Sequence, residues 1–191
     1  MNLFFSISGP LILAVSLVAA SAARGPVDYY KPPVVLKAQG TMQAAFVPRD
    51  DVEGLIVDAV QGARKQVLVQ AYLLSNKRII QALIKAHARG VEVRILVDAT
   101  RLEEGRDARI TALAKAGIWV RREVKYRNAH NKIIIIDADS AHPVLITGSF
   151  NFTYTAQRKN AENMLIIRDF PALAHEYAKN WRRHADNALM Y

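Results

Sequence analysis

Hydrophobic positions along this chain change period again and again. Beyond Thr41 a short apolar run is followed by a longer stretch with helical spacing, and the alternation then recurs. Residues 44–48 (AAFVP) read as a strand. Val52, Leu55, Ile56, Ala59, Val60 and Ala63 then fall at i, i+3, i+4, i+7, i+8 and i+11, which is one face of a helix. VLVQAYLL (67–74) is strand-like, and Ile79, Ile80, Leu83, Ile84 and His87 line a second helix that should stop at Gly90. VEVRILV (91–97) is the next strand. A third helix is expected over 103–116, ending at Gly117, with IWVRREV (118–124) as a strand after it. Residues 133–136, 144–147 and 164–167 supply three more strands. From Phe170 to about Asn187 a closing helix presents Leu173, Ala174, Tyr177, Ala178 and Trp181 on one side, with Asp169 as its expected N-cap and Pro171 in its first turn. Strands that alternate with helices and then gather together predict an α/β layered domain with a mixed sheet.

The amino-terminal part lacks this alternation. Residues 24–40 carry Pro26, Pro32 and Pro33 with little periodicity and predict an extended linker, so the domain is expected over 41–191. Residues 1–23 contain no charged side chain, and their apolar centre from Leu11 to Ala20 is shorter than the roughly 20 residues a membrane span requires. Small residues follow (Ala20, Ser21, Ala22, Ala23), and Arg24 opens a polar stretch, so a signal peptide cut after Ala22 or Ala23 is expected. The mature protein would then be periplasmic or secreted, without stable membrane contact. Two features depart from that pattern: no Lys or Arg in the first residues, and Gly9-Pro10 inside the apolar run. The alternative is an uncleaved amino-terminal anchor.

Composition narrows the chemistry. With 191 residues, 51% of them hydrophobic, the chain is the size of one domain with one sizeable core. Its formal net charge of +9 creates a field that concentrates polyanions such as nucleic acid or anionic lipid. The absence of cysteine excludes disulfides, thiolate metal sites and cysteine nucleophiles. Neither a paired-carboxylate magnesium site nor a zinc spacing is present in the sequence, so no metal and no cofactor is expected.

Two polar clusters bracket the run of four isoleucines between Ala129 and Thr153. In an extended strand His130 and Lys132 share a face with Ile134 and Ile136, while Asn131, Ile133, Ile135 and Asp137 take the other. By the same parity Ser149 and Asn151 project together, and Phe150, Phe152 and Tyr154 oppose them if the extended geometry continues. A neighbouring strand that joins the two pairs would assemble an imidazole, an ammonium, a hydroxyl and a carboxamide. That set suits a phosphate, with one group attacking phosphorus and the others holding the oxygens. Ser149 and Asn151 also read as ordinary turn residues. A nucleophilic imidazole needs an acceptor for its second nitrogen, and Glu162, just before the strand at 164–167, is the candidate.

His130-x-Lys132, four residues, Asp137, and then Gly148-Ser149-Phe150-Asn151 resemble the signature of the phospholipase D superfamily, His-x-Lys-x4-Asp followed by Gly-Ser-x-Asn. The first half keeps the spacing to the residue. Ten residues separate Asp137 from Gly148, where the family commonly has about six, so a longer hairpin over Ala138 to Pro143 is expected. The flanks TGSFNFT and NAENMLII resemble the small single-motif bacterial endonucleases of this superfamily, and the likeness extends from Ala44 to Trp181.

The resemblance implies a single-domain layered sandwich, its mixed sheet flanked by helices on both faces. It also implies a metal-independent, non-specific endonuclease that cuts DNA, with RNA as the alternative, through a phosphohistidine. His130, Lys132 and Glu162 are the implied catalytic residues. Lys132, Ser149 and Asn151 would hold the phosphate, and Asp137 and Gly148 belong to the motif with a structural part. Single-motif members build one site from two subunits, so a homodimer with the site on its two-fold axis is implied. The rival reading is a membrane-associated phospholipase D or cardiolipin hydrolase, and a third is a non-catalytic nucleic-acid-binding protein. His87, His142, His175 and His184 are assigned surface or packing roles, and Asp98 is left without a role. Most Lys and Arg residues read as solvated charges, while Arg121, Arg122, Lys125 and Arg127 lead into His130 and would guide a polyanion to it.

Overall fold

Each change of period in the sequence becomes a change of element in the fold. The structure is a computed structural model that describes residues 32–102 and 107–191. The leader expected over 1–23, residues 24–31 of the linker and the start of the expected third helix lie outside the described residues. Strand β1 (Thr41–Val47) is followed by α1 (Val52–Gln61), β2 (Gln66–Ala71), α2 (Lys77–Ala88) and β3 (Glu92–Asp98). A single 3-10 turn (Ala99–Arg101) leads towards α3 (Ala108–Lys115) and β4 (Trp119–Glu123). Then come β5 (Lys132–Ile136), β6 (Val144–Gly148), α4 (Tyr154–Lys159), β7 (Glu162–Arg168), α5 (Pro171–Ala185) and β8 (Leu189–Met190).

The eight described strands form one mixed sheet in the order β1-β7-β6-β5-β2-β3-β4-β8. Pairing is parallel between β2 and β3 and between β3 and β4, where helices make the crossovers, and antiparallel elsewhere. One face, including Val69, Ile95, Ile134 and Ile146, packs on Ile56 and Val60 of α1, Ile79 and Leu83 of α2 and Ile110 and Leu113 of α3. The other, including Leu68, Leu96, Ile133 and Ile135, packs on Ala174, Ala178 and Trp181 of α5. Helices therefore cover both faces. Strand β5 is buried on both sides, which is why its four consecutive positions are all isoleucine rather than alternating with polar residues.

Side-chain caps start four of the helices: Asp51 accepts from Gly54 N, Asn76 from the Arg78 and Ile79 amides, Asp107 from the Arg109 and Ile110 amides, and Thr153 from the Ala156 amide. Helices α2 and α3 end before Gly90 and Gly117, whose φ of 89° and 85° suits the residue just past a helix end. The long hairpin after β5 is present, with Ile136 paired to Val144.

Three local expectations are corrected. Asp169 does not cap α5: it adopts a left-handed φ of 59° and its carboxylate takes His142 Nδ1 at 2.9 Å, while Phe170 occupies the N-cap position without a side-chain bond. Tyr154 does not continue the Phe150–Phe152 face, because α4 begins there and turns its ring outward. The closing helix stops at Ala185, and the residues after it form β8 against β4.

At the carboxyl end of β5, Asp137 takes a φ of 51° and turns its carboxylate onto three consecutive amides, Arg64 N at 2.9 Å, Lys65 N at 2.7 Å and Gln66 N at 2.8 Å. Its own N–H donates to Gln66 O at 2.9 Å. A buried carboxylate in a nest of backbone donors is fully paired, and it fastens the α1–β2 turn to β5.

Candidate active site

The opposite end of β5 is the edge where β2, β3 and β6 finish and β7 begins, the usual place for a site in an α/β sheet. Lys132 opens β5 opposite Ala71 of β2, and His130 stands two residues earlier. The Ile133↔Thr147 pair places Gly148 beside Lys132 across β6. Glu162 starts β7 next to Gly148 and Ser149. Sheet register thus brings together two sequence segments that lie apart in the chain.

His130 and Lys132 act as a unit. The Lys132 ammonium is almost wholly buried and lies 2.8 Å from His130 Nδ1, 3.0 Å from Nε2 and 3.0 Å from the His130 carbonyl oxygen. A neutral imidazole offers one acceptor nitrogen, so the ammonium bonds whichever tautomer leaves a lone pair towards it. The His130 ring is exposed but rests 4.3 Å from that of Tyr72, which also lies 5.0 Å from Lys132 Nζ. Partial desolvation lowers the His130 pKa below its ordinary 6.5, the charges of Lys132 and Arg101 lower it further, and Asp98 opposes them. Lys132 is itself held below its ordinary value by burial, against the opposing carboxylate of Glu162.

Three neighbours of this pair were not legible as site residues. Asp98, completely buried at the end of β3, accepts from the Ala129 amide and from the amide and hydroxyl of Thr100, so it pins the backbone that leads into His130. Tyr72 lies just past β2, its N–H bonded to Asn131 O at 2.8 Å. Arg101, expected to be a solvated charge, stacks 4.8 Å from the Tyr72 ring and donates from Nε to its hydroxyl. Only the strand-end position of Asp98 gave any hint. Tyr72 reads as one more strand residue and Arg101 as one more surface cation.

The second half of the motif is held by close backbone approach. A Cβ on Gly148 would sit 2.4 Å from Asn163 O and 2.9 Å from Met164 Cα, so β7 can lie against β6 here only because the residue is glycine. Ser149 Oγ donates to Glu162 at 2.5 Å and accepts from Asn163 N at 3.0 Å, and Asn160 donates to the other Glu162 oxygen at 2.9 Å. Within one chain no bond joins Glu162 to His130 among the described residues; Ser149, just past β6, and Asn160 take the carboxylate. The single hydroxyl proton of Ser149 is likewise committed to Glu162 rather than free for a phosphate. Asn151 is fixed by its fully buried neighbours Phe150 and Phe152, the latter bonding Leu73 O and receiving the Ser75 and Asn76 amides. Its buried Oδ1 has no partner among the described residues.

The basic run expected to lead into His130 divides. Arg121 lies over the Trp119 ring at 4.6 Å and reaches the Ala185 and Ala188 carbonyls, and Arg122 donates to Met190 O. Both serve the carboxyl-terminal end of the fold, whereas Lys125 and Arg127 are exposed. His184, expected to pack or lie at the surface, is largely buried against Glu123 with Nδ1 at 2.5 Å from Oε1. Among the described residues no group of three or more His, Cys, Asp or Glu could hold a metal ion.

An imidazole with a lowered pKa beside a buried ammonium, at the open edge of a mixed sheet, fits one class of protein, the phosphodiesterases. The sequence profile described as "Cardiolipin synthase, PLD-like domain" matches residues 56–185. Phospholipase D of Rickettsia prowazekii (strain Madrid E) is 35% identical over 173 residues, 90% of this chain and 80% of that protein. Mitochondrial cardiolipin hydrolase of Mus musculus is 34% identical over 114 residues, 60% of this chain and 49% of that one. Among solved structures, the phospholipase D family member Nuc from Salmonella typhimurium superposes with a TM-score of 0.72 at 32% identity, covering 80% of this chain and 99% of that one. NucT from Helicobacter pylori shares the fold with the same TM-score at 19% identity, covering 80% and 100%. The chain belongs to the phospholipase D superfamily.

Proposed function

We propose that this phosphodiesterase is a metal-independent, non-specific endonuclease that cleaves DNA, with RNA as the alternative substrate, in a site shared by two identical chains. The observation that carries the reading is the His130–Lys132 pair: a neutral nucleophile and a charge that stabilises the transferred phosphoryl group, both supplied by the protein. The scheme therefore calls on no metal. His130 attacks phosphorus and forms a P–N bond as the P–O bond to one nucleoside breaks. Lys132 and the Asn151 amide stabilise the charge on the equatorial oxygens. The leaving alkoxide takes a proton from the partner subunit's His130. That ring, now neutral, accepts a proton from water, whose oxygen attacks phosphorus and breaks the P–N bond, restoring both histidines. Glu162, bonded to Ser149, opposes the desolvation of Lys132 and helps keep it protonated.

Two features support a two-chain site. One chain has a single motif and so only one His130, while the scheme needs a nucleophile and an acid. The buried Asn151 Oδ1 also lacks a donor among the described residues, and a protonated imidazole from a second copy would supply one. The resemblance to the single-motif endonucleases points the same way. Export through the leader at residues 1–23 would keep such a nuclease from the chromosome of the producing cell.

The second reading, a membrane-associated phospholipase D or cardiolipin hydrolase, is favoured by the names of the relatives above. Purified protein in excess EDTA, given plasmid DNA and separately cardiolipin vesicles, separates the two. The expected outcome is nicked plasmid and intact lipid, with no cleavage by His130→Ala. Lipid hydrolysis with intact DNA establishes the second reading, and loss of plasmid cleavage in EDTA overturns the metal-free scheme.

A further inference from the structure

Beside the nucleophile the structure holds a groove that the phosphoryl transfer itself does not use. It lies between α2 and α3, with Ile80, Ile84 and Ala112 along its apolar part and Lys77, Arg101 and Arg109 as its cations. Its volume of about 810 Å³ exceeds what one phosphate group requires. An adjoining hollow shares Lys77 and Arg109 and adds Tyr154 and Arg158 from α4. These cations are exposed, and Tyr154 leaves 62% of its surface open. The carboxylates among the described lining residues are occupied elsewhere. Asp107 caps α3, and Glu53 is buried, paired with Arg78 at 2.9 Å and with Asn76 at 2.6 Å. Among the described residues the two hollows together present more positive charge than negative.

One end of this path reaches the nucleophile, and the other reaches the segment that carries Asn151. Arg101 lies against Tyr72, whose ring is 4.3 Å from that of His130. At the other end α4 begins three residues after Asn151, and the Ser75 and Asn76 amides that precede Lys77 bond Phe152 O, each at 2.9 Å. A polyanionic chain with its reacting phosphate at His130 therefore has a line of cations for its neighbouring phosphates and an open aromatic ring for a base.

We propose that the α2–α3 groove and its extension to α4 form a subsite for the nucleic-acid strand that flanks the scissile phosphate. Lys77, Arg101, Arg109 and Arg158 meet successive backbone phosphates, and Tyr154 is the platform on which one unpaired base stacks. The proposal rests on the endonuclease reading. It predicts a substrate whose affinity grows with the number of nucleotides bound, beyond what the reacting phosphate supplies.

The test compares the doubly substituted Lys77→Gln/Arg109→Gln protein and, separately, Tyr154→Ala with the unaltered chain. Each is assayed on a single-stranded 12-mer and on bis(p-nitrophenyl) phosphate, a diester too small to reach the groove. In the double variant the ratio of kcat/KM for the 12-mer to that for the small diester should fall about tenfold, and the dependence of log KM on log salt should become shallower by about 1.5. Tyr154→Ala should lower the same ratio severalfold with the salt slope unchanged. Because Tyr154 stands on a different element, damage to the α2–α3 surface cannot produce both results. Unaltered ratios and slopes in both variants overturn the subsite while the nuclease stands. Hydrolysis of the small diester by the unaltered chain with no cleavage of the 12-mer overturns the endonuclease reading itself, and the subsite with it.

Discussion

At the Asp137 end of β5 the carboxylate is fully paired: it takes three backbone amides, and the residue's own N–H is bonded as well. At the Lys132 end, about 16 Å along the same strand, polarity is left unbalanced. An ammonium is buried against a ring that can bond it only one nitrogen at a time, both groups are held below their ordinary pKa values, and Asn151 Oδ1 of the same motif has no donor among the described residues. The two ends belong to one sequence motif, so recurrence of a residue in a signature does not give its role. A saturated group contributes to stability, and an unsaturated one is available for chemistry.

Substitutions at the two ends should separate activity from stability. The largest effect is expected from His130→Ala, which removes the nucleophile: turnover of a plasmid or a small diester should fall at least about a thousandfold, with thermal midpoint unaltered. Equal loss of midpoint would show that this end, too, is structural. Lys132→Met should cost about a hundredfold to a thousandfold in kcat without lowering the midpoint, since a buried ammonium is expensive to desolvate. A clear drop in stability would mean that its bonds to His130 outweigh that cost.

Asp137→Asn reverses the pattern. Asparagine tolerates the left-handed backbone but brings an NH2 group to face amide donors, so unfolding free energy should fall by about 3 kcal/mol while the folded fraction keeps its kcat. Denaturant titration alongside kinetics at low temperature checks it. The smallest effect is on pH. The neutral His130 population is full above its lowered pKa and is lost as pH falls through that value, so the acid limb of kcat/KM should lie below pH 6.5. Arg101→Met removes a cause of the lowering and should move the limb to higher pH. Asp98→Asn removes the opposing carboxylate and should move it lower. Shifts in the same direction from both would deny that these charges act on the ring.

The fold was largely legible because its signals are local. The α1 and α2 stripes, the glycines after α2 and α3 and the double-sided burial of β5 are each written in a few neighbouring residues. The Asp169 cap was misread because a non-local partner, His142, changed what a local pattern would otherwise do. Among site residues, His130 and Lys132 were visible through strand parity. Tyr72, Arg101 and the part played by Asp98 were not, since each reaches the site from another strand or loop at a sequence distance with no fixed spacing.

By itself the sequence determined which groups exist and which way each points from its own strand: periodicity and parity follow from backbone geometry over a few residues. It placed His130 beside Lys132 and Ser149 beside Asn151. Only the tertiary structure decided what each group meets, because sheet register and helix packing join residues far apart in the chain. That is how Asp137 came to bind the turn before β2, how Glu162 came to Ser149 instead of His130, and how Arg101 came to lie over Tyr72.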